Sequence, residues 1–332
     1  MRGIIIQKFD DHLKSPIDIL EKKIIAKDLS GLGRAITLNE STRLEDNQII
    51  DEILQRNSEK LNNSIVISVS GIPGVGKSTF IECLGIYLHS LGKSIAVFTI
   101  DPSSEKSHGS ILGDKTRMNA LSILPEVFIR PSPSSNRLGG LGINTQKNIE
   151  IAKVAGFDII LVETVGVGQS ETLVSKLSDV FLLLLMPASG DELQGIKKGI
   201  MEVGDFFIVN KADGDLKDVA KKSKKEIELA LHLTREEDSV MNRIFSFSSL
   251  QQGGIDEIWS AIDHFIAEKK STKAFYENRI AQRQFWLESE YDALVFHQLK
   301  NQFQSKLNLL KQKIANNEYV SISDMLNTIH RS

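Results

Sequence analysis

The 332-residue sequence contains a single cysteine, Cys83. One cysteine excludes an internal disulfide framework and a metal site made of several cysteines, and it is typical of proteins from a reducing compartment. A large excess of charge of either sign is also missing, since 40 Lys and Arg residues oppose 43 Asp and Glu residues. This balance gives no support to binding of nucleic acid or of an acidic membrane surface.

Long hydrophobic runs are missing as well. The most apolar run, VFLLLLM (180–186), is far shorter than the roughly 20 residues of a membrane-spanning helix, so it is expected to be a buried strand. The first residues, MRGIIIQKFDDHLK, have no long apolar segment and include acidic residues from position 10. They resemble neither a secretory signal nor a transit peptide. We therefore expect a cytoplasmic protein without a membrane segment.

The chain divides into three zones by its apolar pattern. Residues 1–60 are polar with helical spacing, and residues 61–270 alternate short β-rich runs with helix-compatible segments. Several of these runs are apolar at consecutive positions, which is typical of strands covered on both faces. The pattern predicts an α/β fold with a doubly wound, mostly parallel sheet and helical extensions at both ends. The seven runs are IVISVS (65–70), IAVFTI (95–100), VFIR (127–130), DIILVE (158–163), DVFLLLLM (179–186), DFFIVN (205–210) and RIFSFS (243–248).

Residues 271–332 contain no strand-like run, and one apolar stripe is predicted along a helix there. The stripe could pack against the chain's own domain or form a subunit interface, and the sequence leaves both alternatives open. Its members are Leu299, Phe303, Leu307, Leu310 and Ile314.

The first strand-like run is followed by GIPGVGKST (71–79), which matches the phosphate-binding pattern Gly-x-x-x-x-Gly-Lys-Ser/Thr. Gly71 and Gly76 would let backbone N–H groups converge on phosphates at the start of a helix. Lys77 is predicted to contact the β- and γ-phosphates, and the Ser78 hydroxyl is predicted to bind Mg²⁺. The position between a strand and a helix argues against a chance match.

The motif NKAD (210–213) indicates which base is bound. The Asp213 carboxylate can accept two hydrogen bonds from guanine, whereas adenine has no matching pair of donors. Lys211 could cover one face of the base, and Asn210 could tie this loop to neighbouring strands. GTP is therefore the predicted ligand. The run FSFSSLQQGG (245–254) then supplies backbone amides for the guanine oxygen at Ser248, Ser249 and Leu250.

Carboxylates expected near the phosphates are the candidates for metal binding and catalysis. Glu163 ends the run DIILVE, where nucleotide-hydrolysing switch proteins usually carry the Asp of Asp-x-x-Gly. Its extra methylene would let it hold a metal through water or orient an attacking water. Gly166 could offer its N–H to the γ-phosphate. Asp101 and Asp114 are further metal candidates, although carboxylates at strand ends are often only caps.

With these residues assembled, the chain resembles the MeaB/ArgK family of P-loop GTPases, the methylmalonyl-CoA mutase-associated GTPases that include the methylmalonic aciduria type A protein. The resemblance lies in ordered blocks between residues 33 and 215, such as GIPGVGKSTFIE, IDPSSEKSHGSILGDKTRM, DIILVETVGVGQSE and LLLMPASGDELQGIKKGIME. In that family Glu replaces the switch Asp, which accounts for Glu163. Ser249 is a departure, because alanine is usual there.

The resemblance implies roles for individual residues. It places Ser78, Asp101, Asp114 and Glu163 around Mg²⁺, and it makes Lys77, Asp101 and Glu163 the catalytic set. The loop GDELQGIKKG (190–199) corresponds to an additional switch that contacts the partner. The nucleotide site would comprise Gly74, Val75, Gly76, Lys77, Ser78 and Thr79, with Asn210, Lys211 and Asp213 on guanine.

The resemblance also implies a function. The protein would hydrolyse GTP while guarding an adenosylcobalamin-dependent acyl-CoA mutase, methylmalonyl-CoA mutase above all, and gating the loading and removal of its cofactor. It would form a homodimer through its C-terminal helices. The expected domains are a helical extension (1–60), a GTPase domain (61–270) and a helical dimerisation segment (271–332).

Three other functions stay open at this point. A GTPase for nickel-enzyme assembly is one, although Cys83 and seven scattered histidines give no Cys/His cluster. A kinase linked to amino-acid transport is another, and the NKAD motif argues against use of ATP. A binding module that uses the nucleotide only for stability is the third.

Overall fold

The computed structural model describes residues 15–101, 118–133, 140–164, 170–187, 198–234, 243–250 and 253–323. The seven strand-like runs form seven parallel strands of one sheet. The strands are β1 (Ile65–Gly71), β2 (Ile95–Asp101), β3 (Val127–Pro133), β4 (Ile159–Thr164), β5 (Val180–Leu185), β6 (Phe206–Val209) and β7 (Ile244–Ser246). Their order across the sheet is β3-β2-β4-β1-β5-β6-β7, so β1 lies in the middle between β4 and β5.

Helices connect the strands and extend the chain at both ends. Two short 3₁₀ helices lie at Ser58–Asn62 and Gly214–Leu216. The α-helices are α1 (Pro16–Ile25), α2 (Leu29–Asn39), α3 (Leu44–Arg56), α4 (Lys77–Ser90), α5 (Asn119–Ser122), α6 (Gly140–Val154), α7 (Ser170–Ser175), α8 (Lys198–Val203), α9 (Lys217–Thr234), α10 (Ile255–Ser271), α11 (Ala274–Gln302) and α12 (Gln304–Ala315).

Both faces of the sheet are covered, as the consecutive apolar positions predicted. Every residue of β1, β4, β5 and β6 is buried. Alternate side chains of these strands enter two separate hydrophobic clusters, so that Val66 lies in one and Ile67 in the other. One cluster includes residues of α1, α2, α3 and α6, and the other includes residues of α4 and α10. The predicted doubly wound α/β fold is thus confirmed.

The N-terminal helices belong to the first of these clusters. Ser15 caps α1, since its hydroxyl accepts from the Asp18 N–H while the Asp18 carboxylate accepts from the Ser15 N–H. Leu32 and Ile36 of α2 are fully buried in the same cluster as sheet residues. The helices before residue 60 therefore contribute to the main core. The division at residues 60 and 270 stays a prediction.

A buried ion pair attaches α11 to the amino ends of the central strands. The Arg279 guanidinium donates from Nε and Nη2 to the Asp179 carboxylate, both at 2.7 Å, and Nη2 also donates to the Ser64 carbonyl at 2.5 Å. Asp179 in turn accepts from the Val66 N–H at 2.8 Å. Arg279 and Asp179 are each only 4% exposed, so this two-pronged pair is almost wholly removed from water.

The C-terminal apolar stripe differs from its predicted form. It runs over two helices, because α11 ends at Gln302 and α12 begins at Gln304, with Phe303 at φ −99° and ψ 9° between them. No proline or glycine lies at this break, so the sequence contains no signal for it. Leu299 and Ile314 are 46% and 59% exposed, so the described part of the chain does not cover the stripe. Among the described helices, none has both the length and the hydropathy needed to cross a bilayer.

We predict that replacing Arg279 by Met destabilises the protein strongly. Asp179 would keep its buried charge without a cationic partner, and such a loss costs about 3–5 kcal/mol. The measurement is the free energy of unfolding from urea titration. Lys300→Met, which removes an exposed cation of the same helix, is the matched control. Equal stability of the two variants would contradict this account of α11.

Candidate nucleotide site

The phosphate-binding loop lies where the parallel fold predicts it, between the carboxyl end of β1 and the amino end of α4. β1 ends at Gly71 and α4 begins at Lys77. Gly76 precedes the helix at φ +97°, which is a left-handed conformation. A Cβ atom at Gly76 would lie 2.6 Å from Asn210 Nδ2, so a side chain there would displace the amide that bonds to the Val75 carbonyl. Conformation and space both require glycine at this position.

Lys77 lies within this loop and is 8% exposed. Its Nζ donates to the carbonyl oxygens of Gly71 at 2.9 Å and Ile72 at 3.1 Å. The ammonium is therefore held by the backbone of the loop that the sequence predicts to surround phosphates. A positive charge beside several backbone N–H groups is suited to a phosphate chain.

Strand pairing brings Glu163 to the loop. β1 and β4 are parallel with Val69 opposite Glu163, so both strands end at the same edge of the sheet. The Ser78 hydroxyl donates to Glu163 Oε1 at 2.8 Å. A second bond joins the same strand ends, from the Thr164 hydroxyl to the Ser70 hydroxyl at 2.9 Å. Glu163 is 8% exposed and Ser78 is half-buried, so the carboxylate of this pair is largely removed from water while the hydroxyl keeps access to it.

The guanine motif is joined directly to the phosphate loop through Asn210. Its Nδ2 donates to the Val75 carbonyl at 2.8 Å, and its backbone N–H donates to the Leu185 carbonyl at 2.9 Å. The expected tie between this loop and its neighbours is thus present. Asn210 reaches the phosphate loop itself, in addition to β5.

The other residues of the guanine motif surround Asp213. The Ser248 hydroxyl donates to Asp213 Oδ2, and the Ala212 N–H donates to the Phe247 carbonyl at 3.0 Å. Lys211 has a positive φ of 57°. The two segments predicted to contact the base are therefore adjacent, and Ser248 holds one oxygen of the carboxylate in place. Leu250 lies beside them and is 84% exposed.

Sequence reasoning missed the side chain of Ser249, for which only a backbone contact was expected. Its hydroxyl donates to Asn210 Oδ1 at 3.0 Å. Since Asn210 Nδ2 is bonded to Val75, this hydroxyl fixes which way the amide faces. The thiol of Cys83 on α4 lies 3.6 Å from the Ser249 carbonyl, and burial raises the pKa of that thiol. The departure from alanine at position 249 could have signalled an extra hydroxyl contact.

Several predicted residues lie outside the described part of the chain. These are Asp114, Gly166 and most of the 190–199 loop, of which α8 contains the last two residues. Asp101 ends β2 next to β4, at the sheet edge that carries Glu163, and its side chain is not described. The structure thus brings Ser78 and Glu163 together from the predicted metal set. No group of three His, Cys, Asp or Glu residues suited to a metal occurs among the described residues.

The fold and the site define a class of protein. A central parallel sheet, a phosphate-binding loop between β1 and α4, and a guanine motif after β6 are the arrangement of a P-loop GTPase. A family model for the methylmalonyl Co-A mutase-associated GTPase MeaB matches residues 32–307, and the chain belongs to this family. The resemblance stated from residues 33–215 is confirmed, and the protein is a GTP hydrolase.

Individual relatives agree with this assignment. The chain is 40% identical over 269 residues to the GTPase ArgK of Escherichia coli, covering 81% of each chain. It is 40% identical to the mitochondrial methylmalonic aciduria type A homolog of Mus musculus, over 82% of this chain and 68% of the relative. A crystal structure of a LAO/AO transport system kinase is similar with a TM-score of 0.71 and 30% identity, covering 94% of this chain and 96% of that one.

We predict that Ser249→Ala weakens GTP and GDP binding to the same extent. One neutral hydrogen bond contributes about 1 kcal/mol, so the dissociation constants should rise about fivefold while kcat changes little. Titration with a fluorescent guanine nucleotide measures the dissociation constants. Steady-state kinetics of GTP hydrolysis measure kcat and KM separately. Ser249→Thr keeps the hydroxyl and should bind as the wild type does.

Ser246→Ala is the matched control, because Ser246 is exposed at the end of β7. If Ser249→Ala binds GTP as tightly as Ser246→Ala does, the hydroxyl has no part in orienting Asn210.

Proposed function

We propose that the protein uses GTP hydrolysis to guard an adenosylcobalamin-dependent acyl-CoA mutase, with methylmalonyl-CoA mutase as the first candidate. The observation that carries this proposal is the match of residues 32–307 to a family named for association with that mutase. In this role the GTPase would gate loading of the cofactor and removal of damaged cofactor. The proposal places it in the cytoplasm, which fits a sequence with one cysteine.

The contacts at the phosphate loop support a hydrolytic rather than a merely structural use of GTP. Lys77 lies where its charge can offset the negative charge that develops on the transferred phosphoryl oxygens. Glu163 is buried at the carboxyl end of β4 and already accepts from Ser78. That position suits a carboxylate that orients a water molecule towards the γ-phosphate. Lys77, Glu163 and Asp101 are the proposed catalytic residues.

The donor set fits a magnesium ion. Mg²⁺ prefers oxygen ligands and is commonly held by one or two carboxylates, a Ser or Thr hydroxyl, substrate phosphates and water. The adjacent Ser78 hydroxyl and Glu163 carboxylate supply two such groups. Ser78, Asp101, Asp114 and Glu163 are the proposed ligands, directly or through water. When bound, the ion would neutralise charge on the β- and γ-phosphates.

The guanine loop contacts support selectivity for GTP. The proposed nucleotide site comprises residues 71 and 74–79, Gly166, Asn210, Lys211, Asp213 and residues 248–250. Because the Ser248 hydroxyl bonds to one side of the Asp213 carboxylate, that carboxylate is oriented before the base arrives. A fixed acceptor discriminates against a base that lacks the matching donors.

One alternative keeps a specific observation in its favour. The similar solved structure is that of a LAO/AO transport system kinase, and a kinase transfers the γ-phosphate to an acceptor such as a protein. A kinase would leave labelled phosphate on protein, whereas a hydrolase would release it to water. An assembly factor for a metal centre has no such observation among the described residues.

We predict that Glu163→Gln binds GTP as the wild type does and hydrolyses it about 100-fold more slowly, because the amide is a poorer anchor for metal or water. GTP turnover is measured with and without a purified adenosylcobalamin-dependent methylmalonyl-CoA mutase. The mutase should accelerate the wild type and the control Glu226→Gln, in which an exposed carboxylate of α9 is changed.

Two outcomes would overturn parts of the proposal. Unchanged turnover by Glu163→Gln removes that residue from the mechanism. If neither methylmalonyl-CoA mutase nor isobutyryl-CoA mutase accelerates GTP hydrolysis by the wild type, the mutase is not the partner. Using GTP labelled at the γ-phosphate in the same assay separates hydrolysis from transfer to protein.

We also propose that the C-terminal helices form a homodimer. Leu287, Tyr291 and Leu294 lie on one face of α11 and are 68%, 65% and 63% exposed. Apolar side chains at this spacing on a long helix are typical of a helix–helix interface. A second copy of the same face would bury them.

We predict that Leu294→Asp converts the dimer into a monomer, since a charge would lie within the apolar interface. Light scattering across a concentration series measures the mass in solution. Leu229→Asp is the control, because Leu229 is similarly exposed, at 64%, on α9. A dimer that persists in Leu294→Asp would place the interface elsewhere.

A further inference from the structure

A cavity lies far from the nucleotide edge of the sheet, between α6 and α11. The segment around Lys176, just before β5, closes its third side, and the cavity is small and open to solvent at its mouth. Arg279 lines the cavity and bonds to the Ser64 carbonyl before β1. The cavity therefore lies at the amino ends of the central strands, whereas the phosphate loop lies at their carboxyl ends. We call it the α6/α11 cavity.

Helical spacing directs charged side chains into this cavity from both sides. Glu150 and Lys153 are three residues apart on α6, and Arg279 and Arg283 are four residues apart on α11, so each pair shares one face of its helix. Lys176 adds a further cation from the connecting segment. Two packed helices usually bury apolar side chains against each other. This pair instead contributes three cationic side chains to its interface, and Lys176 brings the cavity's total to four.

The carboxylates nearby do not balance these cations. Glu150 is the one carboxylate that lines the cavity, and Asp179 behind it is committed to Arg279 through two hydrogen bonds. Two positive charges therefore remain. Burial also raises the pKa of Glu150, which weakens its ability to offset them. Positive charge concentrated in a cleft attracts an anion.

Lys153 is the more buried of the two lysines that line the cavity. It is partly buried, and among the described residues it has neither a hydrogen bond nor an ion pair. Lys147 on the same helix contrasts with it, since its Nζ bonds to Asp51 at 2.9 Å and Glu290 at 3.0 Å. Burial lowers the pKa of Lys153 to about 8 and the nearby Arg279 acts in the same direction, against the smaller opposing effects of Asp179 and Glu150. A bound anion would add acceptors for this half-buried ammonium.

We propose that the α6/α11 cavity is a second anion site, which binds a phosphate group through Lys153, Arg283 and Lys176. A phosphate carries about −1.5 to −2 charges near neutral pH, which matches the two positive charges left over. Its oxygens accept from both ammonium and guanidinium groups. The group could be free phosphate or the phosphate of a larger molecule that extends through the mouth.

A phosphate bound there would join α6 to α11. The attachment of α11 already includes Gln282 Nε2 to the Ser178 carbonyl at 2.7 Å and Trp286 Nε1 to the Lys176 carbonyl at 2.9 Å. Added bonds from Lys153 on one side and Arg283 on the other would strengthen the docking of α11. The anion should therefore stabilise the folded protein. This inference does not depend on the mutase.

The test measures thermal unfolding of the full chain at a saturating concentration of GDP and Mg²⁺, which occupy the phosphate loop. Inorganic phosphate is titrated against chloride at equal ionic strength. We expect phosphate to raise Tm in the wild type and in the control Lys225→Met, which removes an exposed lysine of α9. Lys153→Met should bind phosphate about tenfold more weakly, as expected when one charge-assisted bond is lost.

Two further arms sharpen the test. In chloride alone, Lys153→Met should unfold at the wild-type temperature or above it, because it removes a desolvated charge, so a loss of response cannot be ascribed to misfolding. Glycerol phosphate replaces inorganic phosphate in a parallel titration. A response to both assigns the site to a phosphate monoester, and a response to inorganic phosphate alone assigns it to the free ion. Equal phosphate responses in Lys153→Met and the wild type would overturn the proposal.

Discussion

The parallel pairing of β1 with its two neighbours is the constraint on which the site depends. Because β1 and β4 run in the same direction with Val69 opposite Glu163, the phosphate loop and the carboxylate arrive at one edge. The bond from Ser78 to Glu163 then joins residues 85 positions apart in sequence. Burial of all seven residues of β1 holds this register, since a slip of one residue would exchange the two faces of the strand.

Asn210 connects the two halves of the nucleotide site. One amide bonds to the phosphate loop through Val75 and to the guanine loop through Ser249. Gly76 leaves just enough space for it. The loops predicted to bind the base and the phosphates are therefore joined by a single side chain. Ser249 fixes the orientation of that side chain, and a chain with alanine there would lack this bond.

Charged side chains lie at the opposite edge of the sheet, at the amino ends of the central strands. Asp179 bonds both to the backbone of β1 and to Arg279 of α11, so the C-terminal helix is attached to the strand that ends in the phosphate loop. Beside this pair lies the α6/α11 cavity with its half-buried Lys153. The apolar side chains of α11 at Leu287, Tyr291 and Leu294 face solvent. One long helix thus carries an ionic attachment, the cavity wall and the proposed dimer surface.

Local patterns of a few residues were enough to predict the strands, the parallel class of the sheet, the phosphate and guanine motifs and the family. Such patterns could not predict contacts between distant parts of the chain. Residues that are distant in the chain meet in the Ser249–Asn210 bond and in the Arg279–Asp179 pair. The same is true of the cationic side chains that line the α6/α11 cavity. The end of α11 at Gln302 likewise could not be predicted, because no proline or glycine lies there. Such features arise from the packing of whole elements, since burial and the choice of partner exist only once the chain has folded.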